Sequence, residues 1–532
     1  MRNWLNGIKS IVLISVSGIL LGFTVIFAKL GLLAYFVIIP LALVLFRRIE
    51  RGEYNVKKAY LDGFVFYMSF DIVAFHWFTY FYPLDFAGID NFGAIVIVAL
   101  AWFGISAIQG VFSALVFVII SRLARTSICK KYTVLIAPLT AGLFAVNEWI
   151  QTFTWAGIPW GRIAISQTEM PILIQSASLF GSYFITFFVI LVGFLIAYAI
   201  LYAEKRRLAT LFVIAVFVFN LVIGTVIYFV PRVDESRSIK AASVQGNIQS
   251  QKIFESNADK FAIYERLTRS AVSDGAELIV WPEGTFAVDI HTNIRINGDS
   301  PKPISQAVSD LAKELGVTIT LGTYVRSSDA FNTSMSVFYP DGSSNINAYA
   351  KRRPVPFGEF LPFREFVSVV VPLLAQINIF ADVDAGEKAT VFDATLGEDP
   401  IQVGTLICFD SIYETLGIDS ARAGAQMLII PSNDSWFYDS RALYMHHSQN
   451  ILRAVEQGKY TVSCANTGIS SVVNDKGEII NDMPIYQEGY VIDTVYASST
   501  RTLYSYIGNL FVYLCIAFVG AIFFVDILKK KK

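Results

Sequence analysis

Val403-Gly404-Thr405-Leu406-Ile407-Cys408-Phe409-Asp410-Ser411 is an apolar run that stops at a thiol and turns polar just as a helix-like segment begins. A short apolar run of this kind reads as a buried strand, which puts Cys408 at a strand end. Upstream, Leu278-Ile279-Val280-Trp281-Pro282-Glu283-Gly284 ends another apolar run in a carboxylate. Between them, Tyr349-Ala350-Lys351-Arg352-Arg353-Pro354-Val355-Pro356-Phe357-Gly358-Glu359 supplies a lysine followed by a turn. A carboxylate, an ammonium and a thiol can act as base, oxyanion partner and nucleophile in covalent acyl transfer. Taken singly, each has an ordinary structural reading: a cysteine after a strand is a small core hydrophobe, and a glutamate after Trp-Pro is surface.

These runs belong to a longer α/β texture. Strand-like stretches at Leu278 to Trp281, Val317 to Thr323, Ser334 to Tyr339, Val403 to Ile407, Met427 to Pro431 and Thr461 to Ala465 alternate with helical ones at Lys260 to Ser273, Pro303 to Leu315 and Tyr444 to Gln457. Asp341-Gly342 and the surroundings of Asp475 to Gly477 read as hairpin turns. Residues 239 to 498, roughly 260 in all, are enough to bury a core of their own.

The rest of the chain is too apolar for water. Hydrophobic residues make up 54% and charged ones 16%, with a mean hydropathy of +0.53. Runs near 11 to 28, 30 to 46, 60 to 81, 92 to 121, 134 to 152, 171 to 202, 208 to 230 and 503 to 528 are long enough to cross a bilayer. That predicts about eight spans; a second apolar run follows the first almost at once, so the first is read as a span and not as a cleavable leader. Lysine and arginine alternate between loops: Arg2 and Lys9, then Arg47 to Lys58, Arg122 to Lys131, Lys205 to Arg207 and Lys529 to Lys532 mark one side. Both termini are therefore expected in the cytoplasm and the α/β segment outside. The expected organisation is a membrane domain over 1–236 with seven helices, a catalytic domain over 237–499, and an eighth helix with a basic tail over 500–532. With 42 basic and 43 acidic residues, the chain lacks the basic excess that phosphate tracking requires, so no nucleic-acid partner is expected.

The Glu, Lys and Cys segments, in this order, resemble the nitrilase (carbon-nitrogen hydrolase) superfamily. Val244-Gln245-Gly246-Asn247-Ile248, Ser432-Asn433-Asp434-Ser435-Trp436-Phe437, Arg453-Ala454-Val455-Glu456 and Asn466-Thr467-Gly468-Ile469-Ser470 are similar to signature stretches of its membrane-embedded branch, the apolipoprotein N-acyltransferase family. Asn147-Glu148-Trp149 followed by Gly157-Ile158-Pro159-Trp160 looks like the membrane half of the same family. The resemblance implies an αββα nitrilase-like sandwich joined to a polytopic α-helical membrane domain. It also implies a bacterial inner-membrane enzyme, monomeric and without a cofactor, whose catalytic domain lies on the outer face. Its acyl chain would pass from a membrane phospholipid, through a Cys408 thioester, to the α-amine of a diacylated apolipoprotein. Glu283, Lys351 and Cys408 would be catalytic, with Glu359 as a supporting acid and Phe409, Asp410, Phe254, Trp436 and Glu148 as supporting or substrate-binding residues. Two departures stand out: Cys408-Phe409-Asp410 replaces the family's common Cys-Tyr-Glu, and Phe254 stands where the family usually has tryptophan. The first keeps the charge on a shorter arm and removes a hydroxyl.

Cys129, Cys408, Cys464 and Cys515 form no disulfide framework. Only Cys408 and Cys464 could pair outside, and a bridge would consume the nucleophile. No metal site is expected, because His446 and His447, adjacent on a helix, point in different directions. Asp71 and Glu148 fall within or at the ends of spans, where charge is costly and often functional. Each has a second reading, as a hydrogen bond between packed helices for Asp71 and as a brace for the Gly-Ile-Pro-Trp loop for Glu148. Two alternatives to acyl transfer remain at this level: a membrane-tethered amidase that uses water as acceptor, and a lipid-binding scaffold or transporter that leaves the three motifs idle.

Overall fold

The computed structural model describes residues 2–84, 88–248, 256–296, 300–326, 331–365 and 382–531, with side chains described from residue 9 onward. Phe254 lies outside the described residues. The chain separates into two compact units. One comprises Met1–Pro83, Asn91–Val230 and Ile507–Lys532; the other comprises Leu84–Asp90 and Pro231–Tyr506.

In the helical unit, seven of the described helices are long and apolar enough to cross a membrane: Lys9–Ile26, Ala28–Glu50, Asn91–Leu123, Thr133–Ile150, Ser182–Leu201, Ala203–Phe229 and Leu510–Lys531. The remaining expected span, 60 to 81, falls on the helix Val56–Ala74. It is less apolar because it carries Asp62 and Asp71, and Asp62 is paired with Arg48. The run 171 to 202 is not one helix, as its apolar length predicted. Two short helices, Pro171–Ile174 and Ala177–Phe180, precede Ser182–Leu201, and Gly181 at φ +78° breaks the chain. Likewise 60 to 81 ends its α-helix at Ala74 and continues as the 3₁₀ turn His76–Phe81. Leu100, Phe112, Leu208, Phe219 and Phe229 point outward fully or largely exposed. Helices that satisfy their own backbone and present such faces are built for a hydrocarbon solvent.

The second unit contains two six-stranded sheets. In chain order its strands are β1 (Asp234–Gln245), β2 (Leu278–Val280), β3 (Asn293–Ile294), β4 (Lys302–Pro303), β5 (Thr318–Arg326), β6 (Phe331–Phe338), β7 (Ser344–Ala350), β8 (Val391–Asp393), β9 (Gln402–Thr405), β10 (Met427–Ser432), β11 (Thr461–Ala465), β12 (Ser470–Val473), β13 (Ile479–Met483) and β14 (Gly489–Ala497). One sheet has the order β14-β1-β2-β5-β6-β7 and the other β13-β12-β11-β10-β9-β8, with β3 and β4 forming a small ribbon. Parallel pairs form the centre of each sheet: β2 lies between β1 and β5, and β10 between β9 and β11.

Side-chain alternation along the strands then assigns the layers. Ala241, Leu278, Val280 and Val337 of the first sheet share a core with Val403, Met427, Ile429 and Val462 of the second. Their neighbours Ala242, Val244, Ile279 and Ile319 face the other way, onto Phe261, Tyr264 and Leu267 of helix Asn257–Ser273 and Val308 and Leu311 of helix Ile304–Leu315. Helices Glu414–Arg422 and Ala442–Gln457 pack beside the second sheet. The order is helix, sheet, sheet, helix, the αββα sandwich that the resemblance implied.

Candidate active site

Three turns at strand ends bring the acid, the amine and the thiol together. Lys351 directly follows β7, and its N–H extends the ladder to Thr333 O at 2.8 Å. Because side chains alternate, Lys351 shares the inward face with Tyr349, which lies in the core between the sheets. Glu283 follows β2 through Trp281 and Pro282, and the Lys351 Nζ donates to its Oε1 at 2.7 Å. The other carboxylate oxygen accepts the Asn433 N–H at 3.0 Å, just past β10. Cys408 opens a 3₁₀ turn, Cys408–Ile412, after β9. Its φ of +49° is left-handed backbone, which costs an L-residue about 1–2 kcal/mol, and strain of this kind concentrates at functional turns. Its thiol lies within the electrostatic reach of both the Glu283 carboxylate and the Lys351 ammonium. All three side chains are buried.

Glu359 completes the cluster. Its Oε2 lies 2.9 Å from the Lys351 Nζ and also accepts the Val355 N–H at 2.7 Å, while Oε1 accepts from the Thr333 hydroxyl at 2.8 Å. Lys351 is thus gripped between two carboxylates. Burial by itself would lower its pKa, but Glu283 and Glu359 outweigh this and hold it well above the ordinary lysine value. Burial raises the Glu283 pKa, with Lys351 acting in the opposite sense. Burial and the Glu283 charge push the Cys408 thiol well up, again against Lys351. At rest the site therefore holds a neutral thiol, a cation and two acids.

Asp410 is buried and hydrogen-bonded to neighbouring turns. Its carboxylate accepts the Tyr349 hydroxyl at 2.7 Å, the Arg353 N–H at 2.8 Å, the Arg352 N–H at 3.2 Å and the Ile407 N–H at 3.3 Å. It ties the nucleophile's turn to the chain that leaves Lys351. Phe409 packs edge-on against Tyr413, ring centroids 5.5 Å apart, and is buried. Trp436 ends 38% exposed in the 3₁₀ turn Asp434–Phe437. Cys464 is buried, and its thiol donates to Val280 O at 3.0 Å; all four cysteines are free.

Glu148 and Asp71 belong to the helical unit, not to this cluster. Glu148 accepts the Ile163 N–H at 2.9 Å and the Thr186 hydroxyl at 2.7 Å, just beyond the Gly157 to Trp160 loop. Asp71 and Glu148 both line a small cavity with Tyr67, Gln109 and Asn147.

His446 and Asp434 are brought to the site by the fold alone. His446 Nδ1 is 3.0 Å from Asp434 Oδ1, and Nε2 is 2.9 Å from Ser411 Oγ and 3.1 Å from the carbonyl oxygen of Cys408. The sequence weighed the histidine only as a metal ligand. Its signal was Asp434, inside the Ser432 to Phe437 stretch, an acid that only the loop after β10 can carry to a helix residue twelve positions on.

Comparison with known proteins agrees with this division. A family model described as carbon-nitrogen hydrolase matches residues 240–504, and one described as apolipoprotein N-acyltransferase N-terminal domain matches residues 17–195. A Rhizobium leguminosarum protein named apolipoprotein N-acyltransferase is 30% identical, over 68% of this chain and 67% of its own. The chain belongs to the apolipoprotein N-acyltransferase family. Relatives with the same name from Geobacter metallireducens and Thermotoga maritima are each 27% identical; the first match covers 94% of this chain and 92% of the relative, the second 97% and 93%. Glu283, Lys351, Glu359 and Cys408 all fall within the carbon-nitrogen hydrolase match, and Glu148 within the N-terminal one.

Proposed function

We propose that this protein is an apolipoprotein N-acyltransferase that moves an acyl chain from a membrane phospholipid to the α-amine of a lipoprotein's N-terminal diacylglyceryl-cysteine. The observation that carries the reading is the buried Glu283–Lys351–Cys408 cluster in a chain that also has the family's membrane half. Burial and the Glu283 charge both hold the Cys408 thiol in its protonated form, so sulfur needs a base at the moment of attack. Glu283 therefore takes the Cys408 proton as sulfur attacks the ester carbonyl. The Lys351 ammonium and the Phe409 backbone N–H receive the oxyanion. The ester C–O bond then breaks, Glu283 returns the proton to the leaving alkoxide, and a lysophospholipid departs from the thioester. In the second half, the lipoprotein amine attacks, Glu283 accepts its proton, and the amide forms as Cys408 regains its hydrogen.

In this reading Glu359 holds Lys351 in place, Asp410, Phe409 and Trp436 surround or brace the acyl site, and Phe254 is a sequence-based candidate for substrate binding. The protein is monomeric, sits in the bacterial inner membrane, and turns its α/β unit outward, as the basic loops indicate. Purified protein incubated with phospholipid and a diacylated lipopeptide should add the mass of one acyl chain to the peptide and release lysophospholipid. Free fatty acid with no mass gain on the peptide would assign the protein to hydrolysis instead.

A further inference from the structure

The two contacts of His446 Nε2 and Nδ1 determine its protons. Nδ1 faces a carboxylate oxygen of Asp434 at 3.0 Å, which requires an N–H there. Nε2 faces the Cys408 carbonyl oxygen at 3.1 Å, and a carbonyl can only accept. A neutral ring would set a nitrogen lone pair against one of these oxygens. Ser411 Oγ, 2.9 Å away, serves as either donor or acceptor and does not alter the count. Hydrogen on both ring nitrogens satisfies both oxygens, in a pocket where His446 is 1% exposed and Asp434 4%. The pocket is tight: a Cβ on Gly468 would lie 2.8 Å from Asp434 Oδ2.

We propose that His446 is a buried imidazolium that positions the nucleophile, holding the Cys408 carbonyl through its Nε2–H and neutralising Asp434 beside the thiol. The charged and titratable groups around it are Asp434 on the turn after β10, Glu283 on the turn after β2, Cys408 on its own turn, and His447 on the same helix. Asp434 taken alone raises the Cys408 pKa, so an uncompensated Asp434 would make the thiol harder to ionise. Burial by itself lowers the His446 pKa, but Asp434, the Cys408 carbonyl and Glu283 together outweigh it and lift the ring above its ordinary value. The bond to the carbonyl also restrains the peptide plane between Cys408 and Phe409. His446 touches no reacting atom and acts through Cys408.

The test has two arms, and neither needs a lipid or peptide substrate, so the proposed transfer reaction and this inference can fail separately. The chain has four histidines. Full-length protein labelled with ¹⁵N only at histidine, in liposomes at neutral pH, should show two protonated ring nitrogens for His446 and a neutral ring for His447, assigned by replacing His76, His291 and His447 in turn. A neutral His446 would overturn the proposal, and this arm uses the native residue, so it does not depend on any His446 variant folding. In the second arm, iodoacetamide alkylation of Cys408 is followed against pH by peptide mass spectrometry. His446→Gln keeps an N–H for the carbonyl but loses the charge, and should move the alkylation midpoint up by about one pH unit, a tenfold slower reaction at fixed pH below it. Adding Asp434→Asn should return the midpoint toward the wild-type value. A His446→Gln midpoint equal to wild type would reduce His446 to packing and sink the neutralising role.

Discussion

In the proposed mechanism the Cys408 thiol needs a nearby acceptor for its proton, and Glu283, which accepts from the Lys351 ammonium at 2.7 Å, is assigned that role. Cys408→Ala should abolish acyl transfer and leave no covalent adduct by intact mass. Cys408→Ser should take up acyl and stall, because an oxygen ester resists aminolysis more than a thioester does; an adduct mapped to Cys464 would move the nucleophile. Lys351 sits between Glu283 at 2.7 Å and Glu359 at 2.9 Å, a socket shaped for a compact ammonium. A guanidinium keeps the charge but cannot place one donor in that space. Lys351→Arg should therefore slow thioester formation nearly as much as Lys351→Ala, by about a hundredfold to a thousandfold. Single-turnover acylation reads this directly, and a wild-type rate in the arginine variant would make Lys351 a structural cation.

At the scale of elements, the site depends on how closely strands approach one another. β5 passes against the Glu283 turn at Gly322: a Cβ there would lie 2.6 Å from Pro282 O and 2.8 Å from Glu283 Cα, both backbone atoms. Gly322→Ala should cost about 1–3 kcal/mol and displace Glu283, seen as a lower melting temperature together with slower acylation. Unchanged acylation would mean that the turn yields without moving the carboxylate. Helix Ala442–Gln457 carries two histidines in opposite states. His447, buried against Ser471 at 2.7 Å, has its pKa pushed down to about 4 by burial and by His446. The folded state then binds fewer protons than the unfolded one between about 4 and 6.5, so stability rises with pH through that window and is lost as pH falls through it. The span is worth about 3 kcal/mol. Thermal melts from pH 6.5 to 4 should fall less steeply in His447→Gln than in wild type, and parallel curves would show that another group sets the acid limb.

For the whole molecule, the basic residues make the strongest statement. Lysine and arginine cluster in alternate loops of the helical unit and at the C-terminus, and the segment between residues 230 and 507 forms a unit of its own. A cysteine introduced at Ser343, exposed on the β6–β7 hairpin, should react with an impermeant reagent in intact cells. One at Ser127, exposed after helix Asn91–Leu123, should react only once the membrane is opened. The reverse pattern would place the α/β unit on the cytoplasmic side and remove access to an exported lipoprotein.

Local signals are written into neighbouring residues, and these are legible without coordinates: apolar length for the spans, short apolar runs for β2, β9, β10 and β11, and the Glu, Lys and Cys at the ends of their runs. The kinked run at 171 to 202 was not, because hydropathy counts apolar residues and is blind to one glycine with positive φ. Nor were β1 and β14 seen as a pair, since Asp234 to Lys240 is mostly polar and largely exposed and the strand is recognised only through its distant partner, as in Ala241 opposite Asp493. Spacing likewise could not show that Asp410 accepts four hydrogen bonds or that His446 faces Asp434 and the Cys408 carbonyl. Those contacts join turns from different strands across two sheets. Only close packing of the sandwich sets their distances, and with them the charge of each group.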